Sequence, residues 1–153
     1  MKARLDPYKT APAMMKAVIA LENFVQNCGL DPRLVELIKL RASQINGCAY
    51  CVHMHGRDAR AKGENHERLL LLTVWRESPL YTDAERAALA WTEALTLLPE
   101  TRAPDEVFEE LRRHYSEEDI VKLTTLIGMI NLWNRFGVGF RLVPSVESAA
   151  AAQ

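Results

Sequence analysis

Long apolar runs, net charge, cysteine and strand-like alternation are all scarce in this chain, and each scarcity removes a class of protein. No stretch approaches the roughly 20 apolar residues that span a bilayer, and Met1-Lys2-Ala3-Arg4-Leu5-Asp6-Pro7 lacks the apolar run of a secretory signal. A cytoplasmic location with no membrane partner is the expectation. The 19 basic and 20 acidic residues leave a net charge of -1, so no global field draws the chain to nucleic acid. Three cysteines in a chain without a secretion signal argue against a disulfide framework and favour thiols kept reduced between reactions. Runs of alternating β-branched residues are missing, and Asn46-Gly47 is flanked by helical patterns rather than strands. Internal repeats and nucleotide-binding glycine fingerprints are missing too.

What remains is helical. At 153 residues, 48% hydrophobic and 25% charged, the chain fits one globular domain, 1–153, large enough for a real core. An all-α, compact bundle of about six to seven helices is expected. The first runs from Ala13 to about Asn27, with Met14, Met15, Val18, Ile19, Leu21, Phe24 and Val25 as a broad apolar face and Gly29 as its stop. Cys28, near its end, is read as a small buried apolar residue. Asp31 caps the second helix and Pro32 fits its first position; Leu34, Leu37, Ile38 and Leu40 form the stripe. A third, cysteine-bearing helix runs to Lys62 with Gly63 after it. A fourth covers Asn65 to Val74, where Leu69-Leu70-Leu71-Leu72 is too uniformly apolar for a wet surface.

Thr82-Asp83-Ala84-Glu85 has the form of a capping box opening a helix that continues to Leu98, with Pro99 ending the register. Another starts around Pro104-Asp105 and reaches His114. The last, from Glu117 to about Phe136 behind a weaker Ser116/Asp119 box, buries Ile120, Leu123, Leu126, Ile127, Ile130 and Trp133, widened by Val121, Met129, Leu132 and Phe136. So wide a stripe implies core plus a subunit interface. Within the tail 143–153, Ser148-Ala149-Ala150-Ala151-Ala152-Gln153 has little to bury.

The chemistry concentrates in Ser43-Gln44-Ile45-Asn46-Gly47-Cys48-Ala49-Tyr50-Cys51-Val52-His53-Met54-His55. On a helix Cys48 and Cys51 stand at i and i+3, and His55 at i+4 from Cys51, so all three share a face. Residues three apart have Cα atoms roughly 5 Å apart, inside the window for a disulfide. Gly47 looks like a break that puts Cys48 in the first turn of its helix, where free N–H groups and the dipole favour a thiolate. The imidazole of His55 can take a proton from Cys51 or stabilise its anion. Glu36 meets His55 if the second and third helices fold back on one another. His53 lies about 200° around the helix from Cys51 and is read as a surface residue, whereas Tyr50, beside the site, is either packing or a hydroxyl donor. Trp75, Trp91 and Trp133 are read as core or interface anchors.

Rival uses of the pair are weaker. Zinc wants four ligands; His53, His55 or His66 could supplement the thiols, but a second cysteine pair is missing. A c-type haem needs histidine directly after the second cysteine, where Val52 stands. A thioredoxin-like fold needs strands around the motif. No metal or cofactor is expected.

The pattern Glu36, then Ser43-Gln44-Ile45-Asn46-Gly47-Cys48-x-Tyr50-Cys51-x-x-x-His55, resembles the core of the alkylhydroperoxidase D family, within the carboxymuconolactone decarboxylase-like superfamily. Further resemblance runs through Gly63-Glu64, Arg68-Leu69, Trp75-Arg76-Glu77, Glu85 to Ala94, and Asn131-Leu132-Trp133-Asn134-Arg135, covering roughly residues 15–142. The best-known members carry a second histidine just before the second cysteine, where this chain has Tyr50. The resemblance implies an all-helical homo-oligomeric thiol peroxidase, a trimer or hexamer, that reduces hydroperoxides in antioxidant defence. It carries the catalytic roles onto Glu36, Cys48, Cys51 and His55. A hydroperoxide substrate and a dithiol or thioredoxin-like reductant are the implied partners.

Within that frame Cys51 is expected to attack peroxide, and Cys48, expected to be the better exposed, to resolve the sulfenic acid and meet the reductant. The reverse assignment stays open. So do two other functions: a helical binding or scaffold protein whose cysteine pair senses redox state without turnover, and, more weakly, a lactone decarboxylase of the superfamily.

Overall fold

A computed structural model describes residues 2–144. Its elements, in order, are α1 (Pro7–Thr10), α2 (Pro12–Gln26), α3 (Pro32–Ile45), α4 (Ala49–Ala61), α5 (His66–Leu71) running into a 3-10 turn (Leu72–Glu77), α6 (Asp83–Thr96), α7 (Leu98–Thr101), α8 (Asp105–Arg112) and α9 (Glu117–Gly139). Strands are absent among the described residues. The tail from Ser148 lies outside them.

Local chemistry sets most boundaries. Asp31 accepts the Arg33 N–H at 2.7 Å with Pro32 in the first helical position. Thr82 and Glu85 complete the reciprocal box, the Glu85 N–H donating to Thr82 Oγ1 at 3.3 Å and the Thr82 N–H to Glu85 Oε2 at 2.8 Å. Each such cap is worth about 1 kcal/mol.

The bundle is built around α3, which packs on α4, α6 and α9. Every residue from Leu34 to Leu40 is buried, so α3 is enclosed all round rather than along one stripe. One core layer joins Val35 and Ile38 to Leu123, Leu126 and Ile127 of α9. A second sets Leu37 against Leu72, Trp75 and Leu89. A third, smaller cluster holds Ala42, Cys48, Cys51 and Ile130. Truncating a buried leucine in such layers costs about 2–5 kcal/mol.

Several expectations need correction. There are nine α-helices among the described residues, not six or seven, because short turns at α1 and α7 count separately. Helix α1, held by the Asp6 side chain accepting from Tyr8 and Lys9 N–H groups, moves the cysteine motif from the third helix to the start of the fourth. Pro99 does not merely end a helix: α6 stops at Thr96 and Pro99 sits in the first turn of α7, where its missing N–H costs nothing. Leu70 is 67% exposed, so the leucine run does face solvent in part. On α2 only Met15, Val18 and Val25 are buried, and Phe24 is 75% exposed. Helix α9 runs on to Gly139, with Trp133 half-buried and Val121 exposed. Cys28 is half-buried.

Candidate active site

The site begins where α3 ends. Gly47 takes φ +64°, a left-handed value that suits a residue without Cβ, and turns the chain sharply into α4. That turn makes Cys48 the N-cap of α4, its Sγ accepting the Cys51 N–H at 3.4 Å. Cys51 follows one turn on, and the two sulfurs stand 2.9 Å apart as free thiols. Both are buried, Cys48 at 1% and Cys51 at 3% exposure, which overturns the expectation that Cys48 is the more accessible. The reason lies across the bundle: α9 passes so close that a Cβ on Gly137 would overlap Cys48 Sγ and come within 3.6 Å of Cys51 Sγ.

The sulfurs are electrostatically unequal. The Cys48 thiol is pulled down to about 6, because Cys51 donates to it, against the opposing effect of burial and with help from the Cys51 N–H and the Asn134 amide. Cys51 is pushed up as the donor in that pair, by burial and by the negative charge on Cys48. Both directions favour the negative charge on Cys48 over Cys51. Asn134 is held in turn by donating to Ser43 Oγ at 3.0 Å and accepting from Asn46 at 2.9 Å.

Glu36 and His55 meet as the fold-back of α3 and α4 requires. His55 Nδ1 lies 2.8 Å from Glu36 Oε2, both residues buried, and Lys62 reaches Glu36 Oε1. Burial alone would raise the Glu36 carboxyl; the hydrogen bonds and charges of His55 and Lys62 outweigh it and lower the pKa to about 2. An ionised Glu36 can only accept, so Nδ1 carries the proton and Nε2 is left for exchange. His53 is exposed, as expected. Tyr50 is half-buried against the cysteine cluster. Glu36, His55 and Asp58 offer ligand atoms within 4.8 Å of one another, but this set includes neither cysteine and already holds the Lys62 ammonium.

A cavity of about 580 Å³ opens onto this machinery. Cys51, His55, Glu36 and Tyr50 line it together with Trp133 and Lys39, while Cys48 sits behind Cys51. Sequence reasoning missed Lys62, Lys39, Asn134 and Gly137. Some signal was there. Lys62 is seven residues after His55 on the same helix, and Asn131 and Asn134 interrupt an otherwise apolar stripe.

A family model described as the carboxymuconolactone decarboxylase family matches residues 12–94, the stretch that holds Glu36, both motif cysteines and His55. The chain belongs to that family. Within it, the uncharacterized protein YdfG of Bacillus subtilis (strain 168) is 41% identical over 138 residues, 90% of this chain and 94% of that one. A solved protein of unknown function from Agrobacterium tumefaciens, proposed to be the antioxidant defence protein AhpD, superposes with TM-score 0.93 at 54% identity, covering 95% of this chain and all of that one. The fold is therefore AhpD-like. The debrominase Bmp8 superposes with TM-score 0.80 at 27% identity over 92% of this chain and 75% of its own, and a cysteine-to-alanine form of it has been solved with 2,3,4-tribromopyrrole.

Proposed function

We propose that the protein is a thiol-dependent hydroperoxide reductase whose Cys48/Cys51 pair cycles between dithiol and disulfide. The observation that carries the reading is the pair itself: two sulfurs 2.9 Å apart, one at a helix N-cap, beside a buried Glu36–His55 pair and a substrate-sized cavity.

Cys51, which lines the cavity, is the attacking sulfur in this account, and Cys48 resolves. His55 Nε2 takes the Cys51 proton, and Glu36 stabilises the imidazolium. The Cys51 thiolate attacks the terminal peroxide oxygen, the O–O bond breaks, and the departing alkoxide takes the proton back from His55 as an alcohol. Cys51 is left as a sulfenic acid. The Cys48 thiolate then attacks Cys51 sulfur; the S–O bond breaks, hydroxide leaves and is protonated by solvent to water, and a disulfide forms. An external dithiol restores the pair by attacking Cys51 through the cavity, with the low-pKa Cys48 as leaving group. A dithiol or thioredoxin-like protein is the reductant proposed.

The test adds one equivalent of hydroperoxide to reduced protein and maps the products by mass spectrometry. Wild type should hold a Cys48–Cys51 disulfide, and Cys48→Ser one added oxygen on Cys51. Oxygen trapped on Cys48 in Cys51→Ser, at the wild-type rate, would reverse the assignment.

Reductive debromination is the second reading, favoured by the aromatic and apolar cavity wall around Trp133, Tyr50 and Met54. There an aryl C–Br bond would be replaced by C–H, releasing bromide and a proton as the two thiols become the disulfide. Bromide release from a bromopyrrole with dithiol present distinguishes it.

A further inference from the structure

On the cavity wall, one helical turn from Glu36, a second buried polar cluster sits where the reaction just described does not use it. Lys39 is 1% exposed, yet it lines the cavity together with Glu22 and Gln26, the two residues that hold its Nζ. It donates to Glu22 and, at 2.5 Å, to Gln26 Oε1. Glu22 is fixed from its other side by the Trp133 Nε1–H at 3.0 Å. An ammonium has three donors, and among the described residues Lys39 spends two on protein. A buried donor facing a cavity is costly unless something accepts from it.

Placement ties this donor to the cysteine pair. On α3, Glu36, Lys39 and Ser43 follow at i, i+3 and i+7, one face. Glu36 holds His55, and Ser43 Oγ accepts from Asn134, the amide that also favours the charged form of Cys48. Lys39 lies between them along the helix. Trp133, which reaches Glu22 through its Nε1–H, and Met54 and Leu142 supply apolar wall to the same cavity.

Charge decides which acceptor fits. The Lys39 charge is already matched by Glu22, so the cluster offers a hydrogen-bond donor without a net positive charge. The other carboxylates of the wall are paired as well, Glu36 with Lys62, Asp58 with Arg57 and Asp6 with Lys9, so they add no free cation for an anionic group to meet. We propose that Lys39, held by Glu22 and Gln26, is a substrate-recognition subsite that donates to an uncharged oxygen acceptor on an organic ligand, whose apolar body lies against Trp133, Met54 and Leu142. This rests on the peroxidase reading and adds one feature to its substrate: an uncharged oxygen acceptor that reaches Lys39, in preference to a carboxylate.

The test is binding of unreactive probes, so it stands apart from turnover. Three share a cumyl skeleton: 4-isopropylacetophenone carries a neutral acceptor, cumene carries none, and 4-isopropylbenzoate carries a charge. Dissociation constants are measured by ligand-observed NMR on reduced wild type. The ketone should bind about tenfold tighter than either of the others, the size of one charge-assisted hydrogen bond. In Lys39→Met/Glu22→Gln, which removes the donor without stranding a buried carboxylate, the ketone should lose its advantage over cumene. Equal binding of ketone and cumene to wild type, tightest binding of the carboxylate, or an advantage that survives in a folded double variant would each overturn the proposal. Failure of the peroxidase reading would show separately, as absent turnover with ketone selectivity intact.

Discussion

Replacing Gly137 by alanine tests how tightly α9 is docked on the cysteine pair. In a helix interior the exchange normally gains about 1 kcal/mol from propensity. Here the new methyl would overlap Cys48 Sγ and touch Cys51 Sγ at 3.6 Å, and both sulfurs are themselves buried. Overpacking of that kind costs about 1–3 kcal/mol. At Gly128, on the same helix, an added Cβ would meet nothing within 4 Å, which provides the internal control. Gly137→Ala should therefore be less stable than Gly128→Ala by about 2–4 kcal/mol, the lost propensity gain added to the clash. Urea denaturation measures the gap. Because the clash falls on the sulfurs, peroxide-driven disulfide formation should also slow, by roughly tenfold for each 1.4 kcal/mol of misalignment. Gly137→Ala matching Gly128→Ala in stability and wild type in disulfide rate would refute the close approach.

Other consequences concern protons. The Glu36 pKa is lowered from 4.5 to about 2 in the folded chain, so its contribution is present above pH 4.5 and is lost as pH falls toward 2. That contribution is on the order of 3 kcal/mol, and Glu36→Gln should flatten the acid limb of a stability–pH curve. Cys48 should show thiolate absorbance with a midpoint near 6. Cys51→Ala, which deletes the thiol donor, should move that midpoint upward, and an unmoved midpoint would leave the helix N-terminus as the dominant cause. Asn134→Ala should also raise it, and should cost about 1–3 kcal/mol by leaving Ser43 and Asn46 short of a buried partner.

What could be read from the chain was what local chemistry decides. Asp31-Pro32 and Thr82…Glu85 announce helix starts because capping bonds close within three residues. The Cys48, Cys51, His55 spacing is legible for the same reason, since helical periodicity alone puts them on one face. Glu36 required a guess about how two helices fold back, and the family resemblance supplied it. The accessibility of Cys48 could not be read, because it is set by Gly137, 89 residues away. Lys39 escaped notice because a lysine in an amphipathic helix is ordinarily solvated; only the enclosure of α3 on all sides makes it a buried group.

The measurement that bears most directly on the account is multi-turnover consumption of cumene hydroperoxide by the purified protein with dithiothreitol, comparing wild type with Cys48→Ser and Cys51→Ser. Sustained turnover in wild type, lost in both variants, is the predicted result. A single stoichiometric burst with no further consumption, or turnover that survives loss of either cysteine, would contradict it.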